Sequence, residues 1–479
     1  MAFYHGVKTS EQATALSAPV KVENGITFAV GTAPVHSVGG EANKIVLAES
    51  YAEAVKALGY SKEWDKYTLC EVMKTHFELY KTGPVVFVNV LDPAKHRKAN
   101  AGEEYKLGSD GTVILPFDTI ADTVTVKESE GEGTVYALDT DYTLTYSDSG
   151  LILEKTAGST ISGSTIYVES FSVDASAVSE NDIIGGVSVA DGSKSGLELL
   201  DGVLTCTGIV PEFIIAPGFS ENVNVAAAMS LKAAAINELF EGKAITDMDT
   251  VSLRNATDAC KSKEAVGGSS SNQIICYPNV GLGGVRYHLS AHIAALMAVV
   301  DGQNEGVPSA SPSNKALNID SIILADGAEI NLELAEANRL NSMGIVTALN
   351  FIGGFKAWGN YTACYPDDND PKNYFISVNR MFAYVAKILI FTHWSQIDSK
   401  MTPRLFEAIT DSVNIWMNGL TADNHLLGGR VEFISGENPL EALMAGKIKF
   451  HVYITPPSPA TEIEFTLEYD TAYAQALFE

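Results

Sequence analysis

Three stretches of this chain place chemically capable residues at suggestive spacing. Asn279-Val280-Gly281-Leu282-Gly283-Gly284 stands between an apolar run and a helical pattern, where a phosphate-cradling loop would stand. A dinucleotide fingerprint needs a third glycine where Arg286 sits, and a Walker loop needs a Gly-Lys-Ser/Thr that is absent. The stretch therefore reads as a glycine-rich turn leading onto a buried helix. His288 and His292 are four residues apart on one helical face, a spacing that can hold a metal. A zinc protease also needs a glutamate beside the first histidine, but Leu289 and Ser290 follow it here and no third ligand is obvious. Core or interface histidines are the simpler expectation. Asp367, Asp368 and Asp370 could face a hard cation, but they lack the spaced ligands and closing glutamate of a calcium loop. Ser220, after Pro217-Gly218-Phe219, has no GxSxG elbow and no identifiable base. No catalytic constellation, cofactor site or metal site is expected, and the chain reads as non-enzymatic.

The elements that would carry these residues alternate between strand and helix. Ile26 to Gly31 is a strand, and Ser50 to Leu58 is a helix opened by a serine and closed by Gly59. A helix over about 68–80 precedes Pro84 to Val90, whose continuous apolar run suits a buried parallel strand. Phe213 to Gly218 and Ile274 to Tyr277 are further strands. Helices are expected over about 222–239 and 287–300, the second apolar nearly all round. A last helical region covers about 379–419, interrupted near Asp398 and Pro403. Between 95 and 182 the chain turns to Thr, Ser, Gly and Val in short alternating stretches, with six basic residues against sixteen acidic ones. That segment reads as an inserted, solvated all-β unit. The fold class is thus α/β (α+β) and multidomain: a layered mixed-sheet core over 26–94 and 183–370, the β insert over 95–182, a terminal domain over 371–459, and extended arms over 1–25 and 460–479.

The end of the chain is the most directive part. Lys447 to Thr455 alternates, with Ile448, Phe450, Val452 and Ile454 on one face, and reads as a strand with no visible partner of its own. Pro456-Pro457-Ser458-Pro459 follows, too stiff for a tight hairpin, so Pro456, Pro457 and Pro459 are read as a hinge. Beyond it Ile463, Phe465, Leu467 and Tyr469 alternate with Glu462, Glu464, Thr466, Glu468 and Asp470. A strand carried away on a chain end is a natural donor to a neighbouring molecule, so the chain is expected to polymerise.

Composition sets outer bounds. The 479 residues are 46% hydrophobic, enough for real cores, and carry a net charge of −27, which argues against nucleic-acid and anionic-membrane partners. No apolar run reaches transmembrane length, and the start Met1 to Gly6 does not read as a signal peptide. Five scattered cysteines form no CxxC pair and are expected to be reduced.

With these segments laid out, the chain resembles the contractile tail sheath proteins of bacteriophages, prophages and R-type bacteriocins. The resemblance is spread over ordered pieces: His5-Gly6-Val7 with Glu11; Gly25-Ile26 leading to Val30-Gly31-Thr32-Ala33-Pro34; Pro211 to Ser220; and Ser311-Pro312-Ser313-Asn314-Lys315. It continues through Asn341 to Asn350 and Trp358-Gly359-Asn360-Tyr361-Thr362, with Tyr361 where the family usually has arginine. Leu427-Gly428-Gly429, Asn438-Pro439, Ala445-Gly446-Lys447 and Ile463-Glu464-Phe465 complete the order. Coverage is about 1–95 and 183–479, with the β insert outside it. The resemblance implies a self-assembling subunit of hexameric rings in a helical polymer around an inner tail tube, with baseplate and tail terminator proteins as further partners. The particle would be a virion tail or tail-like injection device assembled in a bacterial cytoplasm. The same resemblance implies that both arms donate strands to neighbours. Phe3 and Val7 would lie on the N-terminal arm, and Ile463, Phe465, Leu467 and Tyr469 on the C-terminal one. Ile448, Phe450, Val452 and Ile454 would form the receiving strand. The rival reading is an oligomeric α/β enzyme or ligand-binding protein with its site at 279–286.

Overall fold

A computed structural model describes residues 24–131, 133–266 and 270–473. Its centre is an eight-stranded sheet. The strands are β1 (Thr27–Gly31), β2 (Ile45–Ala48), β3 (Val85–Asn89), β4 (Phe213–Ile215), β5 (Lys243–Asp247), β6 (Gln273–Cys276), β7 (Ile345–Asn350) and β8 (Phe355–Trp358). Their spatial order is β8-β7-β6-β5-β4-β1-β3-β2. The six inner strands are parallel, while β2 and β8 close the edges antiparallel. The first parallel connection runs from β1 to β3, and later ones step from β4 towards β7. The direction of winding therefore reverses between β1 and β4, the place where doubly wound sheets open their ligand crevice.

Strand residues alternate between two cores. Ala29, Val85, Phe87, Phe213, Ile215 and Ile245 face one side, and Phe28, Val30, Val86, Val88, Ile214 and Ala244 the other. Both faces are covered, so the strands read as unbroken apolar runs. Among the covering helices are α1 (Tyr51–Leu58), capped by Ser50, whose Oγ accepts from the Glu53 N–H, and α2 (Thr68–Met73), which continues as a π turn over Lys74–Leu79. Helix α3 (Val223–Ala234) packs Val225, Met229 and Ala233 on the second face, and α4 (Ala256–Val266) packs Ala256, Ala259 and Cys260 with Tyr277 and Ile345. The helix expected to be apolar all round is α5 (Leu289–Gln303), buried along most of its length.

The segment between 97 and 173 forms two three-stranded antiparallel sheets, one from Arg97–Lys106, Thr165–Val173 and Thr125–Lys127, the other from Thr112–Leu115, Gly150–Lys155 and Tyr142–Ser147. They enclose a small core of Val126, Leu151, Leu153, Ile166 and Val168. Asp118 ties the unit to the main body, accepting from Tyr67 Oη at 2.6 Å and Lys66 Nζ at 2.7 Å. After β8 the chain forms α6 (Ile376–His393) and α7 (Pro403–Ala422), and then a two-stranded antiparallel sheet of β9 (Gly428–Glu432) and β10 (His451–Thr455). Among the described residues no helix is long and apolar enough to cross a membrane.

Candidate assembly surface

The stretches that could do chemistry turn out to be structural. Asn279–Leu282 and Val285–Tyr287 pair as a hairpin with Leu282 opposite Val285. Gly283 and Gly284 fill its two-residue turn at φ +61° and +76°. Two consecutive positive φ values define the turn that suits a twisted hairpin, and glycine takes them without strain. No phosphate loop forms there. The hairpin delivers His288 and α5 to the carboxyl ends of the sheet, and the helix start is then filled from within. The His288 N–H donates to Glu71 Oε1 at 2.5 Å and its Nδ1 lies 2.8 Å from Glu71 Oε2, while the Ser290 N–H donates to Asp247 Oδ1 at 2.9 Å. These carboxylates occupy the place where an anion would meet the first amides of a helix. Burial pulls the His288 pKa down, but Glu71 outweighs it and holds the group up at about 9. His292 points elsewhere, its Nδ1 3.1 Å from Tyr80 Oη, and burial lowers its pKa to about 3. The two histidines therefore do not converge. Ser220 Oγ accepts from the Asp247 N–H at 3.0 Å. Asp370 caps the turn at Pro371–Tyr374, and Asp368 accepts from Asn373.

An exposed, alternately apolar stretch lies near the end of the described residues. The expectation that the strand near 447–455 lacks a partner is corrected: β10 pairs with β9, Val452 opposite Val431 and Ile454 opposite Gly429. It also starts later, at His451, because the Asn438 side chain takes both backbone groups of Lys449, at 2.7 and 2.8 Å. Ile448 and Phe450 therefore precede the strand and are half-buried, whereas Val452 and Ile454 lie within it. Phe450, Val452 and Ile454 pack with Val385 of α6 and Val413 and Met417 of α7. A second asparagine finishes the outer edge of β9. The Val431 N–H donates to Asn414 Oδ1 at 2.8 Å, and the Val431 carbonyl accepts from Asn414 Nδ2 at 3.1 Å. The N–H and C=O of one strand residue point the same way, so Val431 faces α7 and its neighbours carry the ladder. By the same alternation Val452 and Ile454 turn their backbone groups to the far side of β10, where, among the described residues, no third strand continues the sheet.

Over 456–473 the described residues form no strand. Ile463, Phe465, Leu467 and Tyr469 are 72%, 84%, 95% and 86% exposed, so the apolar face of this stretch is largely uncovered among the described residues. Pro456 is buried, and Pro457 and Pro459 are half-buried. Phe3 and Val7 lie outside the described residues.

Sequence reading missed how the N-terminal segment joins the body. The Gly25 N–H donates to Glu212 Oε2 at 2.9 Å, and Lys387 Nζ donates to Asn24 Oδ1 at 2.5 Å. Arg380, wholly buried in α6, donates from Nε to Glu212 at 2.5 Å and from Nη1 to Asp301 at 3.1 Å, with its guanidinium 4.8 Å above the Phe213 ring. Burial would raise the Glu212 pKa, but Arg380 outweighs it and the carboxyl stays below its usual range. At Gly25, φ is +73° and a Cβ would sit 3.1 Å from both Ala298 Cα and Asp301 Oδ2, so only glycine fits there. The one available signal was isolated charged residues, Asp301, Arg380 and Lys387, inside otherwise apolar helices, without any hint of their partners.

No protein-family model matches the sequence. The chain is 27% identical over 490 residues to the tail sheath protein of Burkholderia phage BcepMu, spanning 99% of this chain and 98% of the relative. A putative prophage major tail sheath protein of Pseudomonas aeruginosa strain UCBPP-PA14 is 27% identical over 298 residues, 60% of this chain and 72% of that one. Among solved structures, the PVC sheath complex of an extracellular contractile injection system in the contracted state shares the fold, with a TM-score of 0.59 at 13% identity over 99% of each chain. Along nearly its whole length the chain is thus similar to a contractile tail sheath protein, and it shares the α/β multidomain fold of solved sheath structures.

Proposed function

We propose that this protein polymerises as stacked hexameric rings around an inner tube and contracts without nucleotide to drive that tube through a cell envelope. One observation carries the reading: an exposed, alternately apolar terminal segment leaves a body whose last sheet has an open edge. Residues 460–479 and the N-terminal segment up to Val20, with Phe3 and Val7, act as donors to neighbouring subunits. Val452 and Ile454, with Ile448 and Phe450 leading in, form the receiving side. Burying each apolar side chain of the donor contributes up to about 1.5–3 kcal/mol, and each ladder hydrogen bond about 1 kcal/mol net. Ordering the segment opposes much of that, so one junction is modest and a lattice of them is strong.

Contraction in this reading releases a metastable extended lattice into one with larger contacts between cores, while the arms stay paired. The 26–94 and 183–370 core and the 371–459 terminal domain move as bodies, and the acidic 95–182 insert faces outward. Baseplate and tail terminator proteins set the lattice ends in a phage tail or related particle. The carboxylates that fill the α5 N-terminus support a mechanism without nucleotide. Deleting 460–479 should leave a folded, soluble subunit that forms no hollow striated tubes in negative-stain microscopy. Tubes of normal length from that truncation would remove the arm from the assembly.

A further inference from the structure

The outer edge of the large sheet at β8 is covered by a segment that makes only an isolated antiparallel bridge with it, Ala316 opposite Lys356. Alternate residues of β8 turn their backbone groups away from β7, and the segment from Ser313 to Leu317 meets them. The Asn314 N–H donates to the Ala357 carbonyl at 2.7 Å, and the Ala357 N–H donates to the Lys315 carbonyl at 2.9 Å. The Leu317 N–H donates to the Phe355 carbonyl at 3.0 Å, and the Gly359 N–H donates to Ser313 Oγ at 3.1 Å. Pro312 and Leu317 are buried and pin the two ends, while Asn314, Lys315 and Ala316 between them are exposed. Asn314 has φ of +60°, which asparagine accepts more readily than most residues, so the chain can turn onto the edge there. By alternation Ala316 alone then faces outward, too little backbone for a further strand to follow. The turn joining β7 to β8 carries exposed Phe351 and Ile352 beside this edge. β2, at the opposite edge, is flanked instead by Asn43, Lys44, Glu49 and Ser50.

We propose that residues 313–317 are a guard that keeps β8 from accepting the C-terminal arm of another copy, leaving β10 as the edge where arms land. The inference rests on the sheath reading, because it concerns how that lattice chooses between two edges of one subunit. An uncovered edge with apolar side chains around it is a template for pairing with another chain. Without the guard, β8 offers a ladder at Phe355, Ala357 and Gly359, and Phe351 and Ile352 offer apolar contact to the arm's Phe465 or Leu467. An arm caught there is lost to β10, and the regular lattice ends at that subunit. The guard works through short backbone hydrogen bonds and two buried ends, so it closes the edge without presenting a new one.

The test uses the full chain with Cys206→Ser, which removes the cysteine that is exposed among the five. Thr466→Cys marks the arm on its polar face, and either Tyr453→Cys marks β10 or Lys356→Cys marks β8. A short bis-maleimide then reports which edge an arm from another copy has reached. The parent should link at 453 and not at 356. Asn314→Pro, which removes a donor and cannot take the positive φ, and Leu317→Ser, which loosens the buried end, should each create a link at 356 and weaken the one at 453. Hydrogen exchange checks the opening: amides of 355–359 should lose protection while those of 345–350 keep it. A link at 356 in the parent, or none there in a variant whose edge has opened, overturns the proposal. So does unchanged exchange in both variants, or protection lost throughout the sheet in both, since the segment would then be part of the fold rather than a cover on it. Failure of the sheath reading shows separately, as a parent chain that forms no tubes and no link at 453, whatever the variants do at 356.

Discussion

The carboxyl ends of the large sheet and the outer edge of β10 are both places where an α/β chain exposes polar backbone groups. At the first, Glu71 and Asp247 reach in and satisfy the opening amides of α5, so the helix start at the end of the sheet where such folds bind ligands is filled by the protein itself. At the second, Asn414 and Asn438 finish the neighbouring backbone, at Val431 and Lys449, and stop short of Val452 and Ile454. Polar groups sealed from within stabilise one subunit, whereas polar groups left open at an edge recruit another. The two regions should therefore respond to substitution in opposite ways, one through stability and the other through assembly.

The largest effect is expected on the arm. Phe465→Asp places a charge on the face that the proposed receiving edge would bury, and because every junction of the proposed lattice would carry the same defect, sedimentable polymer should be lost. Glu464→Ala, on the opposite face, should leave polymer yield nearly unchanged, and neither change should alter the melting temperature of the free subunit. Equal losses from the two would contradict the alternation of the arm.

The converse behaviour belongs to Arg380. Arg380→Ala leaves Glu212 and Asp301 buried without their cation, and removing one partner of a buried pair costs about 3–5 kcal/mol. Chemical denaturation of the free subunit should register that loss. Polymer should still form at low temperature if enough folded subunit survives, because the arm's own face is untouched.

Much of this architecture can be read along the chain, and what cannot has a physical reason. Val85-Val86-Phe87-Val88 declares a strand buried on both faces, and Ser50 declares a helix start, because each signal is local. β9 is hidden because Gly428 and Gly429 supply no alternating side chains, and its place is set by Asn414 from seventeen residues away. The helix expected to reach Leu239 stops at Ala234, since Asn237 and Glu238 take φ of +51° and +60° and turn the chain into β5. The Gly283-Gly284 turn was legible, as paired glycines are a turn signal; that it joins two paired strands was not, because Val285–Tyr287 is too short to show alternation. The Arg380 cluster joins residues 168 and 79 apart, and no periodicity reports such a meeting.

A smaller and pH-dependent contrast lies within the sealed region. His76 and His292 are buried and neutral, their pKa values lowered by burial to about 4 and about 3. A histidine depressed in the folded state takes up its proton more readily when unfolded, so stability is full above about pH 6.5 and falls as the pH drops towards the folded value. By pH 5 each contributes a loss of up to about 2 kcal/mol. His288 has the opposite sign: held up at about 9 by Glu71, it stabilises fully below about pH 6.5 and loses its contribution as the pH rises through 9. His292→Gln should therefore flatten the acid limb of a stability–pH profile and His288→Gln the alkaline limb. Exchanged limbs would show that the two histidines have been assigned the wrong charge states.

Asn414→Ala gives the finest test, because it converts a finished edge into an open one. The side-chain amide copies a neighbouring strand at one residue, donating to the Val431 carbonyl and accepting from its N–H. Its loss should cost about 1–2 kcal/mol in the free subunit, a typical toll for two partly buried hydrogen bonds of which water replaces a share. The assembly consequence is the more informative one. With Val431 exposed, β9 gains an outward edge like that of β10, and an arm from another copy then has two places to pair. Tubes should become shorter and mixed with irregular aggregate, read as a broadened sedimentation boundary and as lost striation in micrographs. If Asn414→Ala lowers stability by that amount yet yields tubes indistinguishable from the parent, an unpaired edge alone does not select where an arm lands. In that case the apolar contacts of Phe450, Val452 and Ile454 beneath β10 are what select it.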